Sequence, residues 1–129
     1  MKQITKRLKD GEDLRQAIQN LAAENNIKAG VILSMVGSLK KAHLRMAGAK
    51  TSKQWEEEFE IVSGTGTLSA EDLHIHITIS DVNATVYGGH LKEGCIVRTT
   101  CELVVLAFDD VTYKRAPDEN TGYDELAIE

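Results

Sequence analysis

Proline is almost missing from this chain: Pro117 is the only one in 129 residues. With no Pro- or Ser-rich stretch, no internal repeat and no low-complexity segment, nothing reads as a linker. Residues 1–129 are therefore expected to form a single domain. Cysteine is nearly as scarce. Cys95 and Cys101 are the only two, and their spacing matches no two-cysteine metal or redox motif. Both lie among apolar neighbours, which suits buried free thiols in a reducing compartment. Long hydrophobic runs are also lacking. No stretch reaches the ~18 apolar residues a membrane helix needs, and the basic start Met1–Lys9 has no apolar run behind it to make a signal peptide. A cytoplasmic location is the expectation. Finally, positive charge is in deficit, with 15 Lys and Arg against 20 Asp and Glu and a net charge of −5. Small nucleic-acid-binding domains draw much of their affinity from basic groups neutralising phosphates. This composition therefore disfavours DNA as a partner.

What is present reads mostly as β-structure with one helix. Residues 2–8 suit a short edge strand. The turn Asp10-Gly11-Glu12-Asp13 leads into a stripe of Leu14, Ala17, Ile18, Leu21 and Ala22 at helical spacing, and Asn25-Asn26 is a natural stop because asparagine tolerates left-handed backbone. Ala29–Leu39 is β-rich with glycine punctuation, and His43–Met46 reads as a further strand. Glu57–Ser63 alternates as a half-buried strand that continues through Gly64–Leu68, bent at its glycines. Leu73–Ser80 has the cleanest alternation: Leu73, Ile75, Ile77 and Ile79 face one way, His74, His76, Thr78 and Ser80 the other. Leu103–Phe108 is apolar on both faces, so both must be covered, one by the helix and the other by a neighbouring subunit. One amphipathic helix against many strands makes α+β the expected class. Gly64-Thr65-Gly66 and Gly88-Gly89 are not followed by helical patterns, which rejects phosphate loops.

His74, His76 and His90 fall within seventeen residues of one another. Two residues apart on a strand, His74 and His76 share a face with Cα atoms roughly 6.6 Å apart. That separation lets two imidazoles converge on one cation. A tight turn at Gly88-Gly89 would return His90 to the same face. Three imidazoles with an open fourth position is a common arrangement for catalytic zinc; the spacing alone equally suits a half-exposed polar strand face. His43 reads as structural, Glu56–Glu58 as a solvated face, and Arg98 and Glu102 as a pair across a sheet or interface. Asp81 suits a turn or the orientation of an imidazole.

Several blocks resemble the Plants-and-Prokaryotes-Conserved (PPC) domain family. They are Gly30–Leu39, Phe59–Ser69, Leu73–Asp81, Gly88-Gly89-His90-Leu91 with Gly94–Val97, and Thr121-Gly122-Tyr123-Asp124-Glu125-Leu126. Their order and spacing match over nearly the whole chain, and the His-x-His strand with the Gly-Gly-His-Leu segment is the most specific part. The resemblance implies a curved, mostly antiparallel sheet packed against one main helix, a homotrimer, and His74, His76 and His90 carried over as zinc ligands. It also implies a protein-contact role for Phe59–Ile61. The family is often described as DNA-binding because plant members add an AT-hook, a segment of the Arg-Gly-Arg-Pro type that this sequence does not contain.

Three functions compete. The favoured one is a metal-binding assembly module whose histidine sites take zinc and a small anionic ligand or protein partner. The second is a zinc-dependent hydrolase, in which the metal lowers the pKa of bound water and Asp81 or a glutamate of residues 56–60 serves as acid or base. The third is a DNA-binding, transcription-associated protein.

Overall fold

The computed structural model describes residues 1–129. In chain order the elements are β1 (Lys2–Lys9), α1 (Leu14–Glu24), β2 (Gly30–Arg45), β3 (Ser52–Trp55), β4 (Phe59–Leu68), β5 (Leu73–Ser80), β6 (Val86–Leu91), β7 (Ile96–Ala107), β8 (Tyr113–Pro117) and β9 (Asp124–Ile128). Strands take up 58% of the chain and helix 9%. The α+β expectation is therefore corrected to a β-rich, mostly antiparallel fold. One amphipathic stripe was given the weight of a second structural layer, whereas α1 is only 11 residues long.

That helix forms where the stripe requires it. Asp13 caps it, its Oδ1 accepting the Gln16 backbone N–H at 3.0 Å while Oδ2 accepts that of Gly94 at 2.7 Å. The cap thus ties the helix start to the segment before β7 as well. Asn26 ends the helix with φ 49, the left-handed turn expected of it. Leu14, Ala17, Ile18, Leu21 and Ala22 are all buried, and the larger of them contribute roughly 1.5–3 kcal/mol each on leaving water.

The main sheet runs β1-β7-β2-β4-β5-β6, with β3 added to β2 and a further β2–β6 pairing. All of its pairings are antiparallel. β1 is an edge strand, as expected, paired only to β7. β2 organises the rest. The two strands expected at 29–39 and 43–46 are one strand of 16 residues. Register shifts at Ile32/Ser34, Gly37/Ser38 and Leu39/Lys41 let it bend and change partners. Its first part pairs with β7 and β4, and its last residues with β3 and β6. The β2–β6 pairing closes β2, β4, β5 and β6 into a ring.

β4 is irregular between Ile61 and Ser63, not at its glycines. That extra residue switches the alternation, so Phe59 and Ile61 are buried while Ser63 turns outward. In β7, Cys101, Leu103, Val105 and Ala107 are buried, and Val104 and Leu106 of the other face are half-buried. β8 and β9 form a separate two-stranded hairpin, for which no strand was expected. No helix is long and apolar enough to cross a membrane.

Candidate metal centre

β5 keeps its apolar residues inward: Leu73, Ile75, Ile77 and Ile79 are at most 2% exposed. The alternation then turns His74 and His76 outward on one face, as their spacing requires. His90 reaches that face by pairing in register with His76 across β5 and β6. The expected turn at Gly88-Gly89 is a correction: both glycines lie inside β6. Their role is close approach. A Cβ on Gly89 would lie 2.7 Å from the Arg45 carbonyl oxygen and 3.1 Å from Leu44 Cβ, so only glycine lets β6 close on the end of β2. The chain reverses instead after Asp81, whose Oδ1 accepts the backbone N–H groups of Asn83 and Thr85 at 2.9 Å each.

The three rings gather within one chain. Centroid distances are 5.0 Å for His74–His76, 5.4 Å for His74–His90 and 5.6 Å for His76–His90. One ring nitrogen from each lies within 4.8 Å of the others. Ligands about 2.0–2.1 Å from a tetrahedral ion stand roughly 3.3 Å apart, a difference that small side-chain rotations cover. Burial lowers the His74 pKa below its ordinary value, with the neighbouring His76 adding to the effect. Burial also pushes His90 down to about 4, and the Arg45 guanidinium, whose Nη2 lies 3.5 Å from His90 Nδ1, acts in the same direction. Both imidazoles are thus held neutral, the form that ligates metal. The triad can hold a metal ion.

The other candidates lie elsewhere. Asp81 is five residues beyond His76, roughly 16 Å along the strand, in a cleft with Glu58, Glu60 and Arg98 at the far end of β5. Glu56 pairs with Lys41 at 3.4 Å, and Arg98 pairs with Glu58 at 3.2 Å rather than with Glu102. His43 is held by its own surroundings, its Nδ1 lying 2.8 Å from the Glu93 carbonyl oxygen and its backbone N–H donating to Cys95 Sγ. Cys95 and Cys101 are buried free thiols, each pushed by burial up to about 11.

Sequence reasoning missed the surroundings of the triad. His74 and His90 open onto a cleft of about 350 Å³ that also receives Arg15, Arg45, Asp72 and Arg115, with Asp124 and Glu125 at its β9 rim. One signal for the missing hairpin was present: Asp118-Glu119-Asn120-Thr121-Gly122 is a turn-forming cluster.

A ringed antiparallel sheet carrying three converging imidazoles beside an arginine-lined cleft defines a β-rich protein equipped to hold a metal ion. The sequence model of the Plants and Prokaryotes Conserved (PCC) domain matches residues 1–109. The chain belongs to this family, the one named above from its sequence blocks. Among curated relatives, the bifunctional protein GlmU of Synechococcus sp. (strain JA-2-3B'a(2-13)) is 39% identical over 123 residues, covering 95% of this chain but 20% of the relative. The chain thus spans about a fifth of the length of the curated relatives it matches. A hypothetical protein from Salmonella cholerae-suis has a similar structure, with TM-score 0.97 and 34% identity over 99% of this chain and 93% of its own. So has a metal-containing protein from Archaeoglobus fulgidus, with TM-score 0.84 and 30% identity over 98% and 94%. A protein from Bacteroides thetaiotaomicron, described as a candidate DNA-binding protein, has TM-score 0.87 over 97% and 91%; at 24% identity it shares the fold.

Proposed function

We propose that this chain is a cytoplasmic, homotrimeric module, one domain over residues 1–129, that binds zinc through His74, His76 and His90 and presents it to a ligand or partner. The observation that carries the reading is the approach of three ligand nitrogens, from His74, His76 and His90, to within 4.8 Å. The metal-containing relative from Archaeoglobus fulgidus supports it. The trimer is implied by the family resemblance. It is supported by Leu33 and Val36 on β2 and Val62 on the adjoining β4, all more than half exposed, an apolar group that another copy would cover. The buried free thiols accord with a reducing compartment.

Elemental analysis of tag-free protein, with mass measured in solution, tests the reading. Wild type should carry about one zinc per chain as a trimer, and His76→Ala should lose the metal while staying folded. Metal-free wild type, or metal undiminished in His76→Ala, would refute the site, and a monomeric mass would refute the assembly.

The hydrolase reading has the triad and its cleft in its favour, but its expected acid–base residues stand at the far end of β5. Turnover of ester or phosphoester substrates that disappears on chelation and returns with zinc would establish it. A DNA partner is supported by the description of a structural neighbour and opposed by the net charge of −5. Absence of a gel shift at low salt would remove it.

A further inference from the structure

The wall beside the triad carries more positive charge than its ion pairs balance. Three guanidinium groups line the cleft: Arg15 from α1, Arg45 from β2 and Arg115 from β8. Arg15 and Arg115 share one carboxylate, Asp72, at 3.8 and 3.4 Å, and their side chains are only 19% and 18% exposed. Their remaining bonds are to neutral acceptors, Arg15 Nη1 donating to the Leu73 carbonyl at 3.5 Å and Arg115 Nη2 to Thr67 Oγ1 at 3.3 Å. Arg45 has no carboxylate within 4.0 Å; its Nη2 faces His90. At the rim, Glu125 Oε1 accepts a hydrogen bond from Thr121 Oγ1, and Asp124 is exposed. Neither pairs with an arginine.

Partly buried cations without full compensation are costly unless a partner supplies the missing charge. A guanidinium presents a planar fork that matches the oxygens of carboxylate and phosphate. A cleft of about 350 Å³ is of the size that takes a small organic molecule. We propose that this cleft binds a small oxyanion, a carboxylate or a phosphate group, held by Arg45 and Arg115 with Arg15 behind them, at the mouth of the histidine triad. The inference deepens the metal-module reading by naming the class of ligand. It rests on that reading only in part: a metal in the triad adds positive charge to the same wall, while the arginines are in place without it.

The test is calorimetric titration of the full chain with inorganic phosphate and with malonate. It uses zinc-loaded and chelator-stripped protein, at low and high salt, as wild type, Arg45→Gln and Lys114→Gln. Lys114 pairs with Glu129 on the hairpin outside the cleft. At least one probe should bind zinc-loaded wild type, more weakly at high salt, and the tighter of the two distinguishes a carboxylate from a phosphate ligand. Arg45→Gln should weaken binding about tenfold or more, the scale of one lost charge-assisted pair, when folded variant and wild type are compared at equal zinc occupancy and in the zinc-free form. Lys114→Gln should bind as wild type does. Should the protein hold no zinc yet bind the probe in an Arg45-dependent way, the metal reading falls and the oxyanion site stands. Failure of zinc-loaded wild type to bind either probe at millimolar concentration overturns the proposal. So does equal binding by wild type and folded Arg45→Gln.

Discussion

Gly89→Ala should damage the triad without touching a histidine. The added methyl would lie 2.7 Å from the Arg45 carbonyl oxygen, 3.1 Å from Leu44 Cβ and 3.2 Å from Met46 Cε. The first of these is a backbone atom, which cannot swing aside as a side chain would. Relief therefore requires β6 to move away from β2, loosening the Leu44–Leu91 and Arg45–His90 pairings. Overpacking of this kind costs about 1–3 kcal/mol, partly offset by the ~0.4–1 kcal/mol that alanine gains by restricting the unfolded chain. A thermal melt should fall by several degrees, at roughly 3–5 °C per kcal/mol for a chain of this size. Zinc affinity should fall as well, because His90 moves with β6. Gly88→Ala is the comparison, since its methyl would meet the Ile77 carbonyl oxygen at 3.3 Å and should cost less. The reasoning is refuted if Gly89→Ala melts and binds zinc as wild type does, or if Gly88→Ala is the more harmful.

Other outcomes can be checked in the same preparations. Asp13→Ala removes the acceptor for both Gln16 and Gly94 and should destabilise the fold by about 1–2 kcal/mol in denaturant unfolding. With burial raising both thiols to about 11, Cys95 and Cys101 should resist a thiol-reactive dye until denaturant is added. The pH dependence of the metal-free protein follows from His90, whose folded pKa of about 4 lies below its unfolded value near 6.5. Between these values the unfolded chain binds more protons, so stability should decrease as pH falls through that window. Removing the imidazole in His90→Ala should flatten this slope. The same depression means that protons compete for His90 itself only in the acidic part of the range.

The parts legible in sequence were those fixed by local periodicity. Leu73, Ile75, Ile77 and Ile79 alternate because β5 has one face in the core, and that same alternation turned His74 and His76 outward. The helix stripe and its Asn26 stop were equally local. What escaped was set by contacts distant in sequence. Lys40 and Lys41 interrupt the apolar pattern of β2, and nothing local shows that irregular register carries the strand through them. Gly88-Gly89 looks like punctuation, yet its glycines serve a close approach to Arg45 that exists only once β2 and β6 meet. Arg15, Arg45 and Arg115 come from α1, β2 and β8, and only the assembled fold puts them on one cleft. The strands of the β8–β9 hairpin are only five residues each and largely exposed, and neither alternates apolar with polar residues, so they carry little of the periodic signal on which strand recognition depends.

The central claim is tested most directly by X-ray absorption at the edge of the metal that co-purifies with the protein, on wild type and His90→Ala. The account predicts zinc with three imidazole nitrogens at about 2.0–2.1 Å and one further light ligand, and in His90→Ala one imidazole fewer or no metal. Sulfur neighbours at about 2.3 Å, or a spectrum unchanged by the substitution, would contradict it.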